Sequence, residues 1–174
     1  MKGRLISILL LSLFVSGCDD KKPVEIDTSG TVTIDNSLYG TTVYYALGFN
    51  FATASKVSSL SKPEPDLILQ YEAGLFILQT GTGINGFHLV GEYADEAAAS
   101  QAFDNLKSPV VTTWEEWANP VKANQVWVYR SGNERYAKIR IVSTLSETRV
   151  PRDYGECTFE WVYQPDGSLT FPVK

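Results

Sequence analysis

The sequence predicts a mostly β protein, built as a single antiparallel β domain with one short α-helix. Three observations support this prediction: short runs rich in β-branched and aromatic residues, turn-forming residues between these runs, and one alanine-rich stretch with an acidic start. The chain has 174 residues, of which 44% are hydrophobic and 12% aromatic. This is enough for one sizeable core and too little for two ordinary domains.

The first residues have the pattern of an export signal. Lys2 and Arg4 precede an apolar run at residues 5–15, and this run is shorter than the roughly 20 residues that a membrane-spanning helix needs. The run ends in Val15-Ser16-Gly17-Cys18, which resembles the lipobox of bacterial lipoproteins. We therefore expect residues 1–17 to be a lipoprotein signal peptide and Cys18 to be acylated. An ordinary secretory signal that happens to contain a cysteine is the alternative.

Residues 18–30 are then an acylated N-terminus and flexible tether, and residues 31–174 form the β domain. Two acyl chains explain stable anchoring, because one chain alone holds a protein to a membrane only marginally. Asp19 and Asp20 follow the lipid site, a pattern that accompanies inner-membrane retention in some bacteria and surface export in others. We expect a lipid-anchored protein of the cell envelope, at the outer membrane or cell surface rather than the inner membrane.

Charge and residue counts exclude several classes of function. Loss of Lys2 and Arg4 leaves 13 basic against 20 acidic residues, so the net charge falls from -5 to -7. Such a chain has no basic footprint for nucleic acid. One histidine and two cysteines are too few for most metal sites, which use three or four such ligands. With Cys18 acylated, Cys157 has no disulfide partner, and we interpret it as a buried small hydrophobe.

Nine strands are predicted from the apolar runs. They cover residues 31–34, 41–47, 67–70, 75–80, 87–93, 125–130, 135–143, 157–163 and 169–173. Residues 72–74 and 130–134 are predicted hairpin loops, and residues 165–167 a turn before the last strand.

The alternation of side chains is clearest in the last two long strands. Phe159, Trp161 and Tyr163 share one face of their strand, whereas Lys138 and Arg140 lie on the polar face of the preceding one. If these strands are neighbours, Glu160 pairs with Lys138 or Arg140 on a solvated face, where an ion pair contributes little.

Residues 95–107 are the one predicted helix. Acidic residues begin it, alanines fill it, and Lys107 lies in the last turn, where the helix dipole favours a cation. Phe103 and Leu106 are three residues apart and are expected to face the core, and Pro109 prevents continuation.

No catalytic site is predicted. Gly81-Thr82-Gly83-Ile84-Asn85-Gly86 matches a dinucleotide-binding pattern, but an alternating strand follows where that site needs a helix, so we interpret it as a glycine-rich turn. No nucleophile-base set is recognisable around a single histidine. His88 itself is either a partly buried or surface histidine, or a single haem or metal ligand. Four tryptophans line a ligand cavity, fill the core or form a partner surface: Trp114, Trp117, Trp127 and Trp161.

The order of these runs resembles the HmuY family of bacterial haem-binding lipoproteins. The best match is residues 126–163 with the closing Gln164-Pro165-Asp166-Gly167-Ser168. Three earlier stretches also match: Thr31-Val32-Thr33-Ile34-Asp35 with the tyrosines that follow, Pro65-Asp66-Leu67-Ile68-Leu69, and the glycine- and asparagine-containing stretch 81–86. It implies a non-enzymatic, HmuY-like β domain that captures haem from haemoproteins and passes it to a TonB-dependent outer-membrane receptor.

No haem ligand of the family carries over to this chain. The founding type holds haem iron between two histidines in its central and later regions, and residues 114–126, in the later region, contain no histidine. His88 is therefore the candidate haem ligand, with a tyrosine as the alternative. A second hypothesis is a structural or interaction lipoprotein that binds no haem and contacts another envelope protein through an aromatic patch around Trp114 and Trp117.

Overall fold

The structure, a computed structural model, describes residues 27–81, 83, 84 and 86–172. The predicted signal peptide, the Cys18 lipid site and most of the tether lie outside these residues. Within the described part of the chain, no helix is long and apolar enough to cross a membrane.

Eleven strands and one helix make up the described chain. In chain order they are β1 (Ser29–Asp35), β2 (Leu38–Tyr39), β3 (Tyr45–Asn50), β4 (Ser55–Ser58), β5 (Leu67–Glu72), β6 (Leu75–Thr80), β7 (Phe87–Glu92), α1 (Glu96–Asn105), β8 (Trp117–Ala118), β9 (Gln125–Arg130), β10 (Tyr136–Glu147) and β11 (Tyr154–Gln164).

The strands form two antiparallel sheets, which confirms the predicted mostly β fold with one short helix. The first sheet has the order β1-β11-β10-β9-β7. The second has the order β2-β3-β5-β6-β8, with β4 paired to β3. All of these elements and both apolar clusters lie between Ser29 and Phe171, so a chain that starts at Lys21 retains every one of them.

The main core lies between the two sheets and is centred on aromatic rings. Phe49 of β3 and Phe51 just after it meet Phe159 and Trp161 of β11 in three ring pairs, with centroids 5.2–5.8 Å apart. Such pairs stabilise a core beyond the effect of their buried area. Cys157 belongs to the same cluster, and burial raises the pKa of its thiol to about 12, as expected for an unreactive buried cysteine. The predicted face of β11 is therefore confirmed.

The strand predictions hold where turns and alternation are strong. The β5–β6 hairpin closes through Ala73 and Gly74, which both have positive φ, the backbone that a two-residue hairpin turn requires. The strand predicted at 41–47 instead begins at Tyr45, since the preceding residues form an exposed bend. The strand predicted at 169–173 is absent from its described residues. Phe171 is instead held by the segment that follows α1, because its N–H donates to the carbonyl of Lys107.

The polar face of β10 is not solvated, contrary to the sequence prediction. Helix α1 packs on this outer face of the first sheet, where Phe103 forms an apolar cluster with Val126 and Val162. Arg140 does pair with Glu160, with N–O distances of 3.0 and 3.1 Å, but only 9% of the Arg140 side chain is exposed. The alternation of a strand identifies its polar face, and it cannot reveal that a helix covers that face.

Lys138 is completely buried beneath the C-terminal end of α1. Its Nζ donates hydrogen bonds to the carbonyls of Phe103 (2.7 Å), Leu106 (3.2 Å) and Pro172 (3.3 Å). Nζ also lies 4.8 Å from the ring centroid of Phe103 and 5.9 Å from that of Phe171. A cation at a helix C-terminus stabilises the last carbonyls. The expected cation, Lys107, lies beyond the end of the helix, so this prediction was wrong.

Asp66 and Tyr129 tie the two sheets together at the edge of the core. The Tyr129 hydroxyl donates to one carboxylate oxygen of Asp66 (3.1 Å), and the Phe51 N–H donates to the other (2.8 Å). Burial raises the pKa of Asp66 because it disfavours the charged form, and these two hydrogen bonds only partly offset the effect.

We predict that Lys138→Met destabilises the protein by about 3 kcal/mol, because it removes the donor that three carbonyls share. Urea unfolding followed by tryptophan fluorescence measures this. Lys107→Met is the matched control, since that side chain is exposed, and we expect a change within about 0.5 kcal/mol. Equal stability of the two variants would show that the buried lysine does not hold the helix.

We predict that Asp66→Asn changes how stability depends on pH. A carboxyl whose pKa is higher in the folded than in the unfolded state stabilises the fold at acid pH, and this stabilisation is lost as pH rises through its folded pKa. The free energy of unfolding of the native protein, relative to Asp66→Asn, should therefore fall from acid to neutral pH.

Tyr129→Phe is the companion variant for that measurement. It removes one of the hydrogen bonds that lower the Asp66 pKa, and it should make the pH dependence steeper. If the free energy of unfolding of the native protein, relative to that of Asp66→Asn, rises from acid to neutral pH, the raised pKa of Asp66 is contradicted.

Candidate functional site

The single histidine lies in an aromatic patch on the outer face of the first sheet. The His88 patch comprises His88, Trp114, Arg130 and Tyr136. The His88 and Trp114 ring centroids are 6.4 Å apart in an edge-to-face arrangement, and those of Trp114 and Tyr136 are 6.2 Å apart. The guanidinium of Arg130 lies 4.6 Å from the Trp114 ring centroid, a cation-π contact. All four residues are partly accessible to solvent.

The backbone fixes the orientation of the imidazole. His88 Nδ1 lies 3.1 Å from the carbonyl oxygen of Thr113. Because a carbonyl only accepts, Nδ1 carries the proton in this hydrogen bond, and Nε2 of the neutral ring holds the lone pair. This is the arrangement of metal-ligating histidines, whose other nitrogen is usually bonded to a carbonyl or carboxylate.

The patch can supply one axial ligand, one aromatic surface and one cation. Among the described residues, no group of three or more His, Cys, Asp and Glu side chains is placed to hold a metal ion by itself. A metal that already carries its own equatorial ligands needs only one or two from the protein, as haem iron does. The patch would thus offer haem one iron ligand (His88), an aromatic surface for the porphyrin (Trp114 and Tyr136) and a cation for a propionate (Arg130).

The four tryptophans do not line one cavity. Trp127 and Trp161 are 3% exposed and belong to the core, and the indole N–H of Trp127 is bonded to Gln125. Trp114 lies in the His88 patch. Trp117 is 45% exposed on β8, an edge strand of the second sheet. The residues described in the glycine-rich stretch connect β6 to β7 without a helix, as predicted.

A second site, which the sequence did not predict, lies where β1 ends. The distal cleft has a volume of about 450 Å³ and is lined by residues 36–38 after β1, by Tyr44 before β3, and by residues 149 and 151–154 before and at the start of β11. Ligand pockets usually measure about 300–1,000 Å³. Tyr44 lies in the strand predicted at 41–47, and nothing in the sequence pattern brings the three lining segments together.

Asn36 holds the base of the distal cleft in place. It is 3% exposed, its side-chain amide donates to the carbonyl of Asp153 (3.0 Å), and its amide oxygen accepts from the Gly155 N–H (2.9 Å). Gly155 is required here because a Cβ would come within 2.5 Å of the Tyr71 Cβ on the second sheet. The C-terminal end of the β10–β11 loop and the start of β11 are therefore held in place.

Two arginines and two tyrosines line the distal cleft and provide its positive charges and its aromatic surface. The Arg149 guanidinium stacks 3.9 Å from the Tyr154 ring centroid and is bonded to the Glu147 carboxylate at 2.6 and 2.9 Å. Burial and the hydrogen bond that its hydroxyl donates to Glu156 raise the pKa of Tyr154 to about 12, so it remains neutral at physiological pH. Tyr44 is 65% exposed.

The strand register separates the two sites. His88 lies in one cross-strand row with Val128, Lys138, Val162 and Ser29. This row is at the end of the first sheet where the predicted tether enters. The distal cleft lies at the opposite end of β1, and seven strand residues span about 20 Å. The two sites therefore do not share residues.

Comparison with known proteins identified no relative from which a function can be transferred. No family model matches the chain, and no curated protein is significantly similar to it.

Proposed function

We propose that this chain is a lipid-anchored, non-enzymatic binding protein of the bacterial cell envelope, with haem as its cargo. The observation that carries the proposal is the geometry of the His88 patch. Its imidazole is oriented by a backbone carbonyl, with an indole beside it and a guanidinium on that indole. The resemblance to the HmuY family supports the same cargo and adds a TonB-dependent receptor and haemoproteins as partners.

Each residue of the patch has a role in this proposal. His88 Nε2 ligates the iron, because Nδ1 is committed to Thr113. Trp114 and Tyr136 provide aromatic surface for the porphyrin, and Arg130 provides a cation for a propionate. A single protein ligand on a partly exposed surface suits a carrier, because haem must also be released to a receptor.

We predict that His88→Ala lowers the affinity for haemin at least about tenfold, which corresponds to about 1.4 kcal/mol. Haemin is titrated into the protein that starts at Lys21, and the Soret band reports ligation of the iron. Arg130→Gln should weaken binding less and keep the Soret position, since it removes a propionate contact and no iron ligand.

Trp117→Ala is the matched control for the haemin titration, because Trp117 lies outside the patch and is more exposed than Trp114. It should leave both the affinity and the Soret band unchanged. An identical Soret shift in the native protein and in His88→Ala would remove His88 as the ligand. No shift at micromolar haemin would reject haem as the cargo.

A second candidate function is that of an envelope interaction protein that carries no haem. The exposed Trp117 on the edge strand β8 favours it, because edge strands and exposed aromatic side chains both suit protein contacts. The two functions differ in receptor binding. A haem carrier binds its receptor differently with and without haemin, whereas an interaction protein binds equally in both states and loses binding in Trp117→Ala.

We predict that Cys18→Ser moves the protein from the membrane fraction to the soluble fraction of cells that express the full chain. Without the cysteine sulfur no diacylglyceryl group is attached, and an unacylated chain has no lipid to hold it at a membrane. Labelling with radioactive palmitate should be lost in parallel. Unchanged labelling of the variant would disprove acylation at this position.

A further inference from the structure

We propose that the distal cleft is a separate binding site for a small organic anion with an apolar body, such as an aromatic or aliphatic carboxylate or sulfonate. This site is independent of the His88 patch and of haem. The proposal rests on the shape of the cleft, its exposed apolar walls and its local charge.

The cleft is preorganised. The two hydrogen bonds of the buried Asn36 amide and the close approach of Gly155 to Tyr71 hold the C-terminal end of the loop that carries both arginines. Within this loop, the Arg149 N–H donates to the Asp153 carboxylate (3.3 Å). Ligand sites of this size bind well when their walls do not need to be ordered by the ligand, because ordering costs free energy on binding.

The walls are apolar and accessible. Leu38 is 54% and Tyr44 65% exposed, and Pro151 lines the same cleft. Apolar side chains that line a concave surface with a few polar groups are typical of small-molecule sites. They indicate a ligand with an apolar body of moderate size rather than an inorganic ion.

One cation of the lining, Arg152, has no carboxylate bonded to it within the described chain. Arg149 and Arg152 stand against one lining carboxylate, Asp153, in a chain with a net charge of -5. Arg149 is neutralised in part by Glu147. Within the described chain Arg152 makes no ion pair or hydrogen bond, so it is the cation placed to meet an anionic group. Such a charge-assisted contact is among the stronger hydrogen bonds.

A free organic anion and an anionic lipid headgroup would both offer Arg152 a negative group. The apolar walls that Leu38, Tyr44 and Pro151 provide favour a free ligand with an apolar body. The test below includes vesicles in order to separate these two sources.

Two dyes that differ mainly by one sulfonate test the proposal. 1-Anilinonaphthalene-8-sulfonate carries the anionic group, and N-phenyl-1-naphthylamine is its uncharged counterpart. Each is titrated into the protein that starts at Lys21, and dye fluorescence is recorded. We expect saturable binding of one sulfonate dye per chain, and Arg152→Gln should weaken it about tenfold, as loss of a charge-assisted hydrogen bond predicts. Binding of the uncharged dye should change less than about twofold with the same variant, since it lacks the group that Arg152 contacts.

Further variants separate the cleft from other dye-binding surfaces. Leu38→Ala should weaken both dyes, because it removes apolar wall. Lys107→Gln, at an exposed cation outside the cleft, should change neither. His88→Ala should also change neither, which keeps failure of this proposal distinguishable from failure of the haem proposal.

Three results would overturn the proposal. They are non-saturable binding of the sulfonate dye, equal affinity of Arg152→Gln and the native protein for it, and equal loss of both dyes in Arg152→Gln. Vesicles that contain phosphatidylglycerol supply the lipid arm of the test. Sedimentation of the protein with these vesicles, lost in Arg152→Gln, would assign the site to a membrane headgroup instead.

Discussion

A buried lysine determines how the outer face of the first sheet is closed. Burying a cation away from water is costly unless hydrogen bonds replace its hydration. Lys138 makes three such bonds, to carbonyls at the C-terminal end of α1 and in the C-terminal segment. The lysine therefore ties the position of the helix and of the tail to the sheet. Once α1 lies there, Arg140 and Glu160 become a largely buried pair, and Phe103 completes a second apolar cluster. The same cross-strand row continues through Val128 to His88, so the patch lies on the same face of the sheet as the buried lysine.

The long antiparallel strands then place two recognition surfaces at different levels of one rigid sheet. Register, rather than any direct contact, sets their separation: His88 is level with Ser29 at the start of β1, and Asn36 follows the end of that strand. Neither site needs the other in order to form. In the proposed carrier one molecule would bind at the end of the sheet where β1 begins and another at the opposite end, and variants of one site would leave the residues of the other untouched.

Alternation and turn chemistry predicted much of the fold, and they failed for one shared reason. Four features could be predicted because each depends on residues close in sequence. They are the inward face of β11, the β5–β6 hairpin, the β9–β10 hairpin and the helix. The solvated face assigned to Lys138 and Arg140 was wrong, because what covers a strand is decided by a distant element. The distal cleft was missed for the same reason, because Asn36, Tyr44 and Arg152 belong to three segments. The pairing of β1 with β11 brings Asn36 close to Arg152, and Tyr44 comes from the segment before β3 of the second sheet. His88 was found because it is the sole imidazole, whereas its partners Arg130 and Tyr136 were not.

Both candidate sites place an arginine on an aromatic ring, and this arrangement bears on how an acidic protein would bind the proposed anions. Net charge governs long-range attraction, but screening reduces it over about 8–10 Å at physiological salt. Close to the surface, individual charged groups determine whether an anion is attracted or repelled. Stacking on Trp114 or Tyr154 holds a guanidinium in position and orders its stem. In the distal cleft, the stacked Arg149 gives part of its charge to Glu147 and mainly shapes the wall. Selectivity for the anionic group must then come from Arg152, which the fixed loop presents beside the apolar surface of Leu38 and Tyr44.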